Sequence, residues 1–478
     1  MNVMDEPASK RQKVVVESST QTQMKDLPEE LVMEILCRLR HCKYVFQCKC
    51  VSKHWSSLTT SPYFVRRFIT CNKMKKQPWA FLYFKFMMDT LARPSRFFNQ
   101  PKPGWEVDRS SLKLITQYSE FKSHELSLKF LPCYQYDQDP ITMLKTFNDL
   151  ILCCAENFDH SECVYYICNP LTKQWVALPP TPPLPPNCKC LEVEFICEPY
   201  YYDEDESSVI LYDQFKFKVF RFLNTFSEIQ VFSSETGQWN MTQVSLLADT
   251  PNSRVARSFF SKGRLSLIVI DRWSPKKLSV ITVDDHLNES LQRVNFPGNK
   301  FCRSPFHSTT HVSSRQGSLY VVQISISSAA DQPNYGVPVL RIWNLEESDN
   351  HVAKWKLSHQ VSFRNIASQN KWISDYYLKE WSFITRQDEN LMFHTPIVLG
   401  FHPYKDKLLY LNLNYDEQIG LYDISKRTLN FASATWRHCN SRYGFHNIMW
   451  SAVSEFVLPL WPTPVPQINQ AAALPCQS

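Results

Sequence analysis

The chain has 478 residues, 44% of them apolar and 21% charged, which is the balance of a globular protein with room for one small module and one large domain. Its 52 basic and 46 acidic residues are mixed along the sequence and leave a net charge of only +6, which argues against a nucleic-acid-binding surface. The longest apolar stretches, such as FLYFKFMM at 81–88, are too short and interrupted to cross a bilayer.

The N-terminus, MNVMDEPASKRQK, is polar and lacks the apolar core of a secretory leader. The sixteen cysteines are therefore expected to be reduced thiols in a cytosolic or nuclear protein, many of them acting as small hydrophobes. Residues 1–25 have no periodicity and read as a flexible arm. KRQK at 10–13 reads either as a solvated tail or as a nuclear address.

From 26 to 70 the pattern is helical. Asp26 and Glu29 have capping-box spacing, and Pro28 falls in the first turn, where a missing N–H costs nothing. Leu31, Ile35, Leu36 and Leu39 recur at helical spacing as one apolar stripe. A second helix is predicted over about 43–53 with Val45, Cys48 and Val51 inward, and a third short piece holds Trp55, Leu58 and Phe64 around Pro62. Three short helices bury little surface, so the module is expected to need a covering partner.

After residue 75 short runs of Val, Ile, Phe and Tyr alternate with turn residues, which predicts an all-β domain over 75–460 and a flexible tail over 461–478. A weak repeat runs through it. One half is NDLILCCA (148–155), GRLSLIVID (263–271), GSLYVVQIS (317–325) and DKLLYLNLN (406–414). The other is VYYICNPLTKQWVAL (164–178), IQVFSSETGQWNM (229–241), VLRIWNLEESDNHVAKWKL (339–357) and LYDISKRTLNFA (421–432). The spacing suits four-stranded blades with generous loops and predicts a β-propeller of six or seven blades, five of them visible; a β-sandwich or a less regular β fold is the alternative. The chain contains neither GG nor WD, the marks of ordinary kelch and WD repeats.

LPPTPPLPP at 178–186 reads as a stiff connection between blades or as a PxxP ligand. The CxC pairs at 48–50 and 188–190 lack the second element of a zinc site, and DEDE at 203–206 lacks the spaced oxygens of a cation loop. No nucleophile elbow, phosphate-binding loop or dinucleotide fingerprint occurs. No catalytic residue, cofactor or metal is therefore expected.

DLPEELVMEILCRLRHCKYVFQCKCVSKHWSSLTTSPYF, residues 26–64, resembles an F-box. The matching positions are Leu27-Pro28, Leu31, Ile35-Leu36, Leu39, Cys48-x-x-Val51, Lys53-x-Trp55 and Pro62-x-Phe64. Arg40 stands where the family usually has Pro, and Gln47 where Arg is common. The rest is similar to the associated domain of plant F-box proteins, through CNPLTKQWVALPP (168–180), VFSSETGQW (231–239) and VLGFHPYKDKLLYL (398–411). The resemblance implies a non-catalytic subunit that binds a Skp-type adaptor, and through it cullin and RING subunits, while the β domain recruits a target for ubiquitination. The adaptor-binding residues it implies are Leu27, Pro28, Leu31, Ile35, Leu36, Leu39, Val45, Cys48, Val51 and Trp55. Of these, Leu27, Pro28, Leu31 and Ile35 are expected to face the adaptor and Val51 and Trp55 to be partly core. An adaptor-binding protein without a ubiquitination role and a propeller enzyme or sugar-binding module are the alternatives.

Overall fold

The computed structural model of the chain describes residues 27–39, 42–72, 79–84, 111–115, 126–133, 141–156, 163–184, 190–197, 200–202, 209–211, 215–223, 228–243, 253–261, 264–271, 278–284, 289–293, 308–315, 318–326, 337–347, 353–370, 396–413, 418–434 and 454–468. The arm at 1–25, Asp26, Arg40, the DEDE run, Cys188 and the end of the proline tract lie outside them. Two compact units divide the chain, Met1–Met74 and Lys75–Ser478.

The first unit holds four described helices where three are predicted: α1 (Glu29–Cys37), α2 (Cys42–Lys49), α3 (Lys53–Thr60) and α4 (Pro62–Asn72). The fourth follows from Phe64, Val65, Phe68 and Ile69, an i, i+1, i+4, i+5 set that is buried throughout and gives the unit a core together with Val32, Leu36, Val45 and Leu58. Pro28 is the N-cap of α1 and offers no side-chain hydrogen bond, so the helix starts later than a cap at Asp26 would place it. Its backbone carbonyl accepts from the amides of Leu31 and Val32 at 3.0 and 3.2 Å. Ser52 caps α3 by accepting from the Trp55 amide (3.1 Å), and Ser61 serves α4 by accepting from Phe64 (3.2 Å). Buried Asn72 ties the end of α4 to that of α1, donating to the carbonyls of Cys37 (3.0 Å) and Phe68 (2.8 Å).

The second unit is built of antiparallel sheets, six of them four-stranded among the described residues. Sheet 1 runs β26 (Ser454–Val457), β1 (Trp79–Phe84), β2 (Ser111–Ile115), β3 (Leu126–Ser127). Sheet 2 runs β4 (Ile141–Phe147), β5 (Leu150–Glu156), β6 (Cys163–Asn169), β7 (Gln174–Ala177). Sheet 3 is β8 (Cys190–Cys197), β11 (Phe217–Leu223), β12 (Glu228–Ser233) and β13 (Gln238–Gln243), with the two-stranded ribbon β9 (Tyr200–Tyr202) and β10 (Val209–Leu211) inserted in sequence. Sheet 4 comprises β14 (Ser253–Ser261), β15 (Arg264–Asp271), β16 (Leu278–Asp284) and β17 (Glu289–Arg293). Sheet 5 holds β18 (Ser308–Arg315), β19 (Ser318–Ile326), β20 (Pro338–Glu347) and β21 (Ala353–Ser362), followed by the short helix α5 (Phe363–Ser368). Sheet 6 holds β22 (Ile397–His402), β23 (Lys405–Asn412), β24 (Gln418–Asp423) and β25 (Thr428–Ala434).

Neighbouring sheets cover one another's faces, and strand alternation sorts the side chains between them. Along β5, Ile151, Cys153 and Ala155 join the core shared with sheet 1, whereas Leu150, Leu152 and Cys154 join the core shared with sheet 3. Sheets 5 and 6 share the core around Ile324, Leu340, Phe401 and Leu411. Trp79 and Phe81 of sheet 1 pack on Leu399 and Tyr410 of sheet 6. This stacking of four-stranded antiparallel sheets is a propeller arrangement. The first half of the sequence repeat is the second strand of a sheet (β5, β15, β19, β23), and the other half is the third and fourth strands.

Residues 461–468 differ from the flexible tail predicted over 461–478, of which 469–478 lie outside the described residues. β26 supplies an edge strand to sheet 1, pairing with β1 from Trp79↔Val457 to Leu82↔Ser454. Beyond it Trp461 and Thr463 are buried, and Val465 and Ile468 pack on the core between sheets 2 and 3. Apolar residues between the prolines of LWPTPVPQI, 460–468, give the segment enough surface to bury.

A candidate partner-binding face on the helical unit

α1 carries two apolar sets rather than one stripe. Val32, Met33, Leu36 and Cys37 are buried, while Leu31 and Ile35, four residues apart, are 51% and 45% exposed. Pro28, three residues before Leu31, is exposed as well. A helix of nine residues with apolar side chains on both sides has one face for its own core and one left over.

The residues implied by the resemblance therefore separate. Leu36 (1% exposed) and Val45 (0%) belong to the core of the unit and offer a partner no surface. Leu27, Leu39, Cys48 and Trp55 are half-buried. Val51 corrects the expectation that it points inward: α2 ends at Lys49, and Val51, in the turn beyond, is 66% exposed. Tyr44 and Tyr63 are also exposed, and sequence reading missed both. Tyr63 could have been found, because it precedes the buried Phe64-Val65 pair and so falls on the opposite side of α4.

Glu34 ties α1 to α4. Its carboxylate accepts from Arg67 of α4 (2.6 Å) and from Arg38 one turn on (2.9 Å), and the two guanidinium groups hold its pKa below the usual value. Arg38 is exposed and Glu34 and Arg67 are about one-third exposed, so the pairs are largely screened and fix orientation more than they add stability.

In the β unit, buried polar groups are structural. Arg221 is 1% exposed and lies in cation–π range of Tyr165 (5.5 Å) and Trp239 (5.9 Å), donating to Gln230 directly across the ladder. The proline tract covers this group: Trp239 Nε1 donates to the Pro179 carbonyl (3.0 Å) and Gln230 Nε2 to that of Pro182 (3.4 Å). Residues 178–184 thus serve as a packed connection from sheet 2 to sheet 3, the blander of the two readings of the tract. Among the described residues no cluster of His, Cys, Asp and Glu has metal-site geometry, and no helix is long and apolar enough to cross a membrane.

Comparison with known proteins follows the same division. Residues 24–67 match the F-box domain, and residues 122–467 match the family described as F-box protein At3g26010-like, beta-propeller. A protein of Arabidopsis thaliana described as a putative F-box/kelch-repeat protein, At1g15680, is 22% identical over 71% of this chain and 73% of its own length. Two others from the same plant described as F-box proteins, At1g47300 and At1g48060, are each 30% identical; the matches cover 32% and 24% of this chain and 45% and 31% of theirs. The chain thus spans less than half the length of these two relatives. A solved structure, apo AztD from Citrobacter koseri, aligns with 78% of this chain and 85% of that chain at a TM-score of 0.30 and 8% identity. With a helical F-box matched at its front and a propeller family matched over most of the remaining residues, the chain belongs to the At3g26010-like F-box proteins.

Proposed function

We propose that this chain is the substrate-recognition subunit of an SCF-type (Skp-cullin-F-box) ubiquitin ligase, working in the cytosol or the nucleus. The helical unit binds a Skp-type adaptor, and through it cullin and RING subunits, while the β unit holds a target protein. The chain makes and breaks no bonds; it acts by bringing the target near the ubiquitin-loaded enzyme.

The observation that carries this reading is the exposure of Leu31 and Ile35 together on α1, in a unit whose own core is already filled. Covering a Leu or Ile side chain contributes ~1.5 to 3 kcal/mol, and such anchors dominate association energies. Pro28 and Val51 are also apolar and exposed, and Leu27, Leu39, Cys48 and Trp55 are half-buried. Leu36 and Val45 belong to the core of the unit.

The reading is tested by co-purifying a Skp-type adaptor with the Leu31→Ala/Ile35→Ala double variant. Both sites are exposed, so the fold should persist by circular dichroism while adaptor affinity falls by about 100-fold or more, the effect of losing two such anchors. Undiminished affinity would sink the proposal. Leu36→Ala is the contrast: it should lower the stability of the unit by ~2 to 5 kcal/mol through a cavity.

A second reading, an adaptor-binding protein with no part in ubiquitination, is favoured by Gln47, which stands on α2 where the family commonly has Arg. Recovery of the adaptor without cullin would select it. For the β unit we read six blades. Support comes from the six four-stranded sheets, from the packing of sheet 6 on sheet 1, and from the runs of β8 beside β14 and β14 beside β18.

A further inference from the structure

Two cysteines of the helical unit meet where α1 and α4 end. Cys37, the last residue of α1, is 1% exposed; Cys71, the penultimate residue of α4, is exposed, and both are free thiols. After burial, the neighbouring Cys71 is the next largest influence raising the Cys37 thiol. The backbone registers the same meeting independently, because Asn72, next to Cys71, donates its side-chain amide to the Cys37 carbonyl at 3.0 Å. We propose that Cys37 and Cys71 form a redox modification site, in which a hydroperoxide oxidises Cys71 and Cys37 resolves it to a disulfide joining α1 to α4.

The direction of attack follows from exposure. Cys71 is the thiol that an oxidant reaches, and its thiolate displaces hydroxide from the peroxide, giving a sulfenic acid; the hydroxide leaves as water with the thiol proton. Cys37 then attacks the sulfenic sulfur, the S–O bond breaks, and a second water departs with the Cys37 proton. One peroxide and two thiols become one disulfide and two waters. Burial pushes the Cys37 thiol up to about 12, which keeps it protonated and so keeps it from being the first to react with the oxidant. Cys153 and Cys168 make a similar contact between β5 and β6, but both are fully buried and have no access for an oxidant. The bond would hold the α1–α4 core together and leave Leu31 and Ile35, on the other side of α1, uncovered.

The experiment treats the full chain with hydrogen peroxide under native conditions and digests it with trypsin without reduction. Cleavage after Lys25, Arg38, Arg67 and Lys73 releases DLPEELVMEILCR (26–38) and FITCNK (68–73). The expected product is these two peptides joined, lighter by two hydrogens than their sum, separating on addition of a reductant and absent from the Cys71→Ser variant. Because Cys71 is exposed, that variant tests the site even if a change at buried Cys37 prevents folding. Accumulation of sulfinic or sulfonic acid at Cys71 with Cys37 still a thiol would overturn the proposal, as would preferential joining of Cys71 to another cysteine.

Discussion

Asp149, between β4 and β5, is fully buried, and its two partners, Asn169 and Thr463, lie 20 and 314 residues further along the sequence. Its carboxylate accepts from the Thr463 amide (3.0 Å) and from Asn169 Nδ2 (2.7 Å), while the same Asn169 amide donates to the Thr463 carbonyl (2.8 Å). Burial lifts the carboxyl from 3.8 to about 7, although these donors oppose the shift. Because the folded chain holds a proton that the unfolded chain releases, the contribution is complete below about pH 4. It is lost as pH rises towards 7, at ~1.4 kcal/mol for each pH unit. Burial lowers the pKa of His359, so its contribution is complete above about pH 6.5 and declines as pH falls. The two slopes oppose one another, and comparison with Asp149→Asn separates them. That variant keeps an oxygen for the amides but cannot titrate, so between pH 5 and 7 its thermal midpoint should lose the downward component seen in the parent. An unchanged pH profile would show that Asp149 does not titrate in this window.

At the scale of the element, the connection between third and fourth strands shows how far the sequence could be read. In sheets 2, 3 and 6 it begins with Asn169, Ser233 or Asp423, whose side-chain oxygens accept from amides two residues on, at 2.9, 3.3 and 2.9 Å. It ends with a residue at positive φ: Lys173 (58°), Gly237 (67°) and Arg427 (59°). The turn was legible in NPLTKQ, SSETGQ and DISKRT because its geometry restricts the opening residue, even with Gly in one copy only. A side chain at positive φ costs ~1 to 2 kcal/mol, offset in part by the greater chain entropy of Gly. Lys173→Gly and Arg427→Gly, both at exposed positions, should each raise stability by up to about 1 kcal/mol in urea titrations, and Gly237→Ala should lower it. The opposite signs would mean that the turns are held by side-chain contacts. The same scale shows what periodicity left unresolved in α1. Helical spacing places Leu31, Ile35, Leu36 and Leu39 together, but 3.6 residues per turn rotates Leu36 about 100° from Ile35, into the core and away from the exposed face.

The molecule as a whole explains why the sequence repeat marks five blades while the described residues form six four-stranded sheets. Sheet 1 takes β1 to β3 from the start of the β unit and β26 from its end, so no contiguous stretch of sequence carries its pattern. The three strands that are local are also far apart in sequence, with β1 ending at Phe84 and β2 starting at Ser111. Residues 454–468 consequently act at two levels, as a strand that completes sheet 1 and as a strap whose Thr463 meets Asp149 and whose Val465 and Ile468 lie against the core of sheets 2 and 3. The seam with sheet 6 is close: a Cβ on Gly400 of β22 would stand 3.0 Å from the Phe81 ring of β1. A seam this tight needs β1 held in register by its partners on both sides. Two truncations distinguish the levels. A chain ending at residue 457 keeps the β26 pairing but loses the strap, leaving Asp149 and Asn169 without Thr463 and removing the burial of Leu458, Trp461, Val465 and Ile468. It should melt at lower temperature, losing ~1 to 3 kcal/mol for buried polar groups left unsatisfied and up to ~1.5 to 3 kcal/mol for each apolar side chain no longer buried. A chain ending at residue 453 also uncovers the edge of β1 at Trp79–Leu82, an apolar strand with open backbone donors and acceptors, and should associate into oligomers on size-exclusion chromatography. Equal behaviour of the two chains would show that the strap, rather than the strand, closes the unit.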